Sequence, residues 1–500
     1  MKVFLSYTLY LLILVSAFQN CSPKSGPIEN NEFAPLSPQD TTQTTSETTA
    51  QGEAASTPNS ASNELQSSID KVNSPAFQIQ TIGATDSAVA TFASYNEKVA
   101  VTPKGVFVSY IYKSNRKPRQ SAYDTLGFWA IKWSQDAGTT FKTIFQGSSH
   151  IGTPPIVMAD ASGANIFLIA VDYAPHLETN HQAQFTFYRL QYNSTKKSYE
   201  LATKATHVTV GGLTSKNSGV YRIVNGIQLV HFFWKDRVFT LTINGKPYPS
   251  KSQFEQKVIT KGKATGPQYP LLIKNSSNEV SLAYTAVNTD CETEGAARYF
   301  DIRFLRGSGL TSDKQIRWLN PVSASSIVPI LPIETDSIVP SIVRNRSCNL
   351  SQWLANFHEH QGIYFFVYRE TNLTNSNASE VWLVRFDKAK KKFLARKPMK
   401  AEGLIFRNNS SVFTSGNKGE IYVTGLATDN RLATLVSKDK GESWQVAAVS
   451  EKFEGFQPSY VTGGKETDAQ GRIFGIFTEG ATSNPAGSQV HAFTIMPDTR

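Results

Sequence analysis

Ser134-Gln135-Asp136-Ala137-Gly138-Thr139-Thr140-Phe141 and Ser437-Lys438-Asp439-Lys440-Gly441-Glu442-Ser443-Trp444 are two copies of one pattern, Ser-x-Asp-x-Gly-x-x-aromatic. Each residue type in it has a turn-building task. A short aspartate side chain folds back onto backbone N–H groups of its own turn. Glycine takes the left-handed conformation that a Cβ resists. The aromatic ring packs under the hairpin. The pattern predicts a tight turn built on Ser134, Asp136, Gly138 and Phe141, and a second on Ser437, Asp439, Gly441 and Trp444. Eroded versions run from Ser194 to Tyr199 and from Asp387 to Phe393.

Outward from these turns the chain reads as β from residue 76 onward. Short apolar runs are separated by Gly, Asn, Asp and Ser, with no sustained 3.6-residue period. A second signal recurs seven times, a polar turn followed by a hydrophobic strand. It appears at Gly105, Gly163, Gly226, Asn278, Gly362, Gly419 and Gly471, at intervals of 58, 63, 52, 84, 57 and 52 residues. A period of this size in an all-β chain predicts a β-propeller of four-stranded blades. Seven blades are favoured, or six if 210–250 is irregular. Pro155, Pro270 and Pro458 stand where the innermost strands begin, a place that suits proline. The long interval is assigned to an insertion before Gly362.

The two turn patterns resemble the Asp-box, or BNR-repeat, sialidase-like superfamily over about 90–500. Asp136 and Asp439 lie 303 residues apart, and Gly105 and Gly419 lie 314 apart, so both repeat signals fit five blades between them. The resemblance implies that the box lies on an outer hairpin, so its aspartates build the fold and do no catalysis. It also implies what a sialidase would need: an arginine triad for the substrate carboxylate, a Tyr/Glu nucleophile pair and an acid/base aspartate. The first arginine should precede the first glycine turn. That stretch, Tyr95-Asn96-Glu97-Lys98-Val99-Ala100-Val101-Thr102-Pro103-Lys104-Gly105, contains none. Tyr221-Arg222-Ile223-Val224 is similar to the arginine motif but falls two blades late. The expectation leans away from an enzyme. If the chain is one, it is a sialidase-type glycoside hydrolase.

In such an architecture, loops entering the first strand and leaving the second share one face. The basic loop Lys113 to Gln120, followed by Tyr123, belongs there. Arg116, Arg119, Tyr123, Arg222, Arg344 and Tyr460 are the candidate ligand-binding residues, for an acidic glycan or an envelope protein. A merely solvated charged loop would read the same way. His358-Glu359-His360 looks like a ligand pair, but it reads as a turn in an ordinary β protein. No metal site, cofactor or nucleotide loop is expected, and nucleic acid is not an expected partner.

The N-terminal part is of another kind. Lys2 and the apolar run Phe4 to Phe18 form a signal-like segment, 1–20, too short to span a bilayer. Cys21 follows, and the arrangement resembles a bacterial lipoprotein signal whose cysteine takes the lipid. An ordinary cleaved signal is the alternative. Ser22 in place of aspartate implies outer-membrane sorting, facing the periplasm or the cell surface. Residues 21–74 are rich in Ser, Thr, Gln, Asn and Pro, and within them 22–70 carry one lysine against seven acids. They predict a disordered tether with a reach of roughly 40 Å. The domain at 75–500 follows. Overall net charge is +10, and residues 71–500 alone carry +15. That balance favours anionic partners. The other two cysteines, Cys291 and Cys348, are the candidate disulfide of an exported chain.

The sequence therefore leads to an anchored lipoprotein whose propeller binds a glycan or protein ligand. A diverged sialidase or other glycosidase is the second reading, and a scaffold within an envelope complex the third.

Overall fold

Each of the seven recurring turns joins the first two strands of one antiparallel sheet. The computed structural model describes residues 77–497 apart from 88–89, 93–96, 115–125, 150–152, 174–181, 211–216, 261–266, 288–298, 320–332, 335–340, 345–349, 373–378, 455 and 480–487. Among the described residues there is no helix. Seven sheets stand in a ring as a β-propeller, each a meander running from an inner strand to an outer one. The inner strands, in order, are Val99–Thr102, Ile156–Ala159, Asn217–Val224, Pro267–Lys274, Leu350–His360, Leu404–Ser415 and Pro458–Gly463. Residues 210–250 are no irregular stretch. They supply three strands of blade 3, Asn217–Val224, Ile227–Trp234 and Arg237–Thr242, so the count is seven and not six.

The seventh blade takes its outer strand from the other end of the chain. Phe77–Thr85 pairs antiparallel with Ser488–Ile495, from Phe77↔Ile495 to Thr85↔Ser488. This closes the ring with a hydrogen-bonded ladder.

Blade 4 corrects the placing of the long insertion. Its third strand, Tyr299–Leu310, pairs with two separate outer pieces, Ile316–Leu319 and Ser341–Arg344. The extra residues interrupt the outer strand of blade 4 and do not belong to the loop entering blade 5. Pro155 and Pro458 stand where inner strands begin. Pro270 instead lies within one, where Tyr269 and Pro270 together oppose Tyr284 in a bulge.

Side chains on the two faces of each blade fill the gaps between blades. Phe185, Phe187, Phe232, Trp234 and Phe239 join blades 2 and 3. Phe304, Phe357, Tyr364, Phe366 and Phe386 form a web of ring contacts between blades 4 and 5. Each fully buried ring of this kind contributes about 2 kcal/mol of apolar transfer. Nearer the axis, buried hydroxyls replace rings. Ser218 Oγ accepts from Leu272 N–H (2.8 Å), Thr285 Oγ1 from Leu354 N–H (2.9 Å) and Thr478 Oγ1 from Thr91 N–H (3.1 Å). Thr414 Oγ1 donates to Gly464 O (2.8 Å). Each bond ties one blade's backbone to the next and satisfies a group that the ladder leaves unpaired.

The two Ser-x-Asp-x-Gly turns join third and outer strands in blades 1 and 6. Ser134 Oγ donates to Asp136 Oδ1 (2.8 Å) and accepts from Gly138 N–H (2.8 Å), and Thr140 N–H donates to the same carboxylate (2.8 Å). Ser437, Asp439, Gly441 and Ser443 repeat these bonds at 2.8, 2.7 and 2.9 Å. Each turn also leans on the preceding blade. Ala137 O accepts from Thr494 Oγ1 of blade 7 (3.2 Å), and Lys440 O accepts from Arg385 Nη1 of blade 5 (3.1 Å). The eroded turns keep the simpler half of the device: Asn193 Oδ1 and Asp387 Oδ1 each accept two backbone N–H groups.

Candidate functional site in the axial channel

Seven inner strands line one axis, so polar side chains that turn away from the interblade cores meet across the channel. Glu97 and Lys98 stand just before the inner strand of blade 1. Their backbone is held from two sides. Val157 N–H of blade 2 donates to Glu97 O, and Ser109 N–H donates to Lys98 O, both at 2.9 Å. The Glu97 carboxylate accepts from Ser218 Oγ (3.3 Å) and Gly219 N–H (3.4 Å) on the inner strand of blade 3. Lys465, two residues past the inner strand of blade 7, donates to Asn356 Oδ1 of blade 5 (2.8 Å). Lys98 is buried and donates to Pro154 O (2.6 Å). Glu97 and Lys465 keep intermediate exposure although protein surrounds them deeply. Groups that are deep and yet partly wet lie on the wall of the channel.

The electrostatics follow from that depth. Burial pushes the Glu97 carboxyl above the usual carboxylate range, against the pull of Lys465 and its hydrogen bonds. Burial lowers Lys465 to about 8 and Lys98 to about 7, each partly offset by Glu97. A partly exposed acid raised and a partly exposed amine lowered toward neutrality, Glu97 and Lys465, can exchange protons with a bound molecule near physiological pH. Lys98, enclosed and bonded to Pro154 O, acts only through the field it adds beside Glu97.

Below them lies a chain of hydrogen bonds with a readable direction. His360 Nε2 lies 2.9 Å from Gly419 O, which only accepts, so that nitrogen carries a proton. For a neutral His360 ring, Nδ1 then accepts from the Ser415 hydroxyl (2.9 Å), and Ser415 Oγ accepts from His358 Nε2 (2.7 Å). Burial, then Lys465 and His360, hold His358 well below its ordinary value. His358 and His360 end the inner strand of blade 5 and do not sit in a turn. No group of three or more metal-ligating side chains occurs among the described residues.

The residues singled out from the sequence are dispersed. Arg222 is 1% exposed, its Nε donating to His231 Nε2 (2.8 Å) and its Nη1 reaching Asn278 O (3.4 Å) at the turn end of blade 4. Burial lowers it to about 10. It fills the seam between blades 3 and 4. Tyr460 lies in the bulge of the blade 7 inner strand, edge-on to Phe92, with its carbonyl accepting from Thr91 Oγ1 (3.0 Å). Arg344 ends the second outer piece of blade 4, opposite Asp301. Arg116, Arg119, Tyr123, Cys21, Cys291 and Cys348 lie outside the described residues, as do the boundaries at 20 and 74. Reasoning from sequence missed Glu97, Lys98, Asn356 and Lys465. One signal was available: Glu97 and Lys98 occupy the stretch that was searched for an arginine.

No protein-family model matches the sequence, and no curated protein does. Solved structures do resemble it. An ulvan lyase, a polysaccharide lyase, is 12% identical, with 83% of this chain and 93% of the lyase covered at a TM-score of 0.51. The α-L-arabinanase of Penicillium chrysogenum is 12% identical, with 85% and 99% covered at a TM-score of 0.42. The sialidase of Trypanosoma rangeli is 8% identical, with 84% and 60% covered at a TM-score of 0.38. At such identities the likeness is one of fold.

Proposed function

We propose that this chain is a glycan-recognising propeller, held at a membrane by a lipid on Cys21, that takes its ligand into the axial channel. The observation that carries the reading is that Glu97 of blade 1 and Lys465 of blade 7 stand on one partly wet wall, each held by a buried polar group, Ser218 of blade 3 and Asn356 of blade 5. A carboxyl and an ammonium group fixed in this way at a concave site suit the orienting of a sugar. The shared fold with a polysaccharide lyase supports a saccharide ligand. The two matching Ser-x-Asp-x-Gly turns support kinship with the Asp-box propellers.

A catalytic reading has one specific observation in its favour. Glu97 is raised while Lys465 is lowered to about 8, which suits a general acid beside a general base. Sialidase chemistry is disfavoured, because the cations beside Glu97 are lysines and Arg222 is packed between blades.

The test is a glycan array probed with the full-length protein in detergent, beside assays for sialoside hydrolysis and for polysaccharide elimination. Selective capture that Glu97→Gln and Lys465→Met both weaken at least about tenfold, a loss of roughly 1.4 kcal/mol, supports the binding reading. Turnover lost in the same variants supports the catalytic one. Capture unchanged in both variants removes the channel as the site. A blank in every assay moves the weight to a protein scaffold.

A further inference from the structure

The outer edge of blade 5 carries a run that the channel does not use. Between Lys388 and Lys400 the chain holds seven cations, Lys388, Lys390, Lys391, Lys392, Arg396, Lys397 and Lys400, and no acid. The segment turns at Lys388–Lys391 and then climbs as the broken outer strand, Lys392–Phe393 and Lys397–Pro398, paired to Ser379–Asp387. Lys400 follows and pairs with Ile405, where the chain crosses toward blade 6. The strip therefore runs from the face of the tight turns to the opposite rim. At strand rise its eight steps from Lys392 to Lys400 span roughly 26 Å.

Three of the seven are committed to the fold. Lys388 pairs with Glu279 (2.9 Å), Arg396 with Glu370 (3.1 Å) and Lys397 with Glu442 (2.9 Å). Lys390 reaches Asp387 only at 3.4 Å and is 73% exposed. Lys391, Lys392 and Lys400 are exposed, and no acid among the described residues lies within ion-pair distance of them. A strip of ammonium groups in excess over their paired acids repels itself, and a linear anion laid along it offsets that repulsion. Like charges placed for solubility alone are usually interspersed with acids.

Resting on the glycan reading, we propose that this edge is a docking strip for the chain of an anionic polysaccharide, part of which enters the channel. The strip ends at Lys400, on the rim where the chain crosses to Leu404–Ser415, the inner strand of blade 6. The channel takes one short segment, and the strip holds the charged continuation of the same polymer. Ammonium groups on flexible stems suit repeated carboxylate or sulfate groups without fixing one sugar geometry.

The experiment compares the full-length protein with the charge reversal Lys390→Glu/Lys391→Glu/Lys392→Glu/Lys400→Glu. These side chains are exposed, and thermal unfolding checks that the variant folds as the parent does. The probes are polygalacturonate, dextran sulfate and neutral dextran, with phosphatidylglycerol vesicles as a separate arm. The parent should hold the two anionic polymers with strong salt dependence and leave neutral dextran, and reversal should weaken the polymers at least about tenfold. Capture of short oligosaccharides from the array should persist in the reversal variant, and polymer retention by the strip should persist in Glu97→Gln. Polymer binding unchanged by reversal overturns the strip and leaves the channel reading standing. No capture of short oligosaccharides by the parent, or capture unchanged in Glu97→Gln and Lys465→Met, would sink the channel reading instead. Vesicle binding that reversal abolishes, with no polymer binding in the parent, overturns the proposal in favour of a membrane surface.

Discussion

A Cβ on Gly441 would stand 2.6 Å from Phe365 Cε1 and 3.0 Å from Arg385 Cδ, at a backbone φ of 78°. Gly226 has nearly the same φ, 79°, and nothing within 4 Å of its would-be Cβ. The pair separates backbone strain from contact. Gly226→Ala should cost about 1 kcal/mol and Gly441→Ala about 3 kcal/mol in urea denaturation. Equal costs would mean that the turn does not press on blade 5. Asp439 gives a pH dependence. Partial burial raises its carboxyl, but bonds from Ser443 and Ser437 outweigh that and hold it at about 2, below its usual 3.8. Its stabilisation is therefore present above about 3.8 and lost as pH falls toward 2, and Asp439→Ala should flatten that limb of an acid titration. Lys98 gives the same sign in a higher window. Its folded value near 7 lies below 10.5, so the unfolded chain binds more protons between them and stability rises with pH over that window. Lys98→Met should remove the rise, and an unchanged pH–stability curve would contradict its buried placement. Lys465, at about 8, should lose its hold on an anionic ligand as pH climbs past that value.

Strands and turns were legible in the sequence where a local rule governs them. All seven recurring turns carry a residue of positive φ, a glycine in six of them and Asn278 in the other, with Asn225 and Gln361 also left-handed, and this is why they could be counted. Several also carry an aspartate or asparagine that folds back, as Asp160, Asn275 and Asp468 do, a D/N-x-x-G/N signal that went unused. Pairing between distant segments was not legible. Nothing near Phe77–Thr85 announces Ser488–Ile495 as its partner, and the two outer pieces of blade 4 read as an unrelated insertion. The channel was hidden for the same reason. Glu97, Ser218, Asn356 and Lys465 become neighbours only when the ring closes. The closing strand can be tested by itself. Ile82 is buried on its inner side, so Ile82→Asp should cost about 3–5 kcal/mol and expose the edge of blade 7 to limited proteolysis. Parent-like resistance would mean that the ring holds without it.

The propeller as a whole has no free-standing part. Aromatic clusters join neighbouring blades, and hydroxyl bonds bridge several inner strands, so loss of one blade strips its neighbours of cover on one face. Thermal unfolding should accordingly show a single transition, with calorimetric and van't Hoff enthalpies in agreement. Two resolved transitions would mean that some blades survive the opening of the ring. The closing strand also has a mechanical side. Phe77 is where the preceding segment joins the propeller, and it sits opposite Ile495 at the turn face of blade 7. On the proposed anchoring, a tug directed along Phe77–Thr85 would load the strand lengthwise. The ladder bonds lie across that direction, so they would share the load together in shear instead of parting one after another. The strand that completes the circle would thereby serve as a strain-bearing root, and a ligand held in the channel could be dragged on from outside without the circle being unzipped.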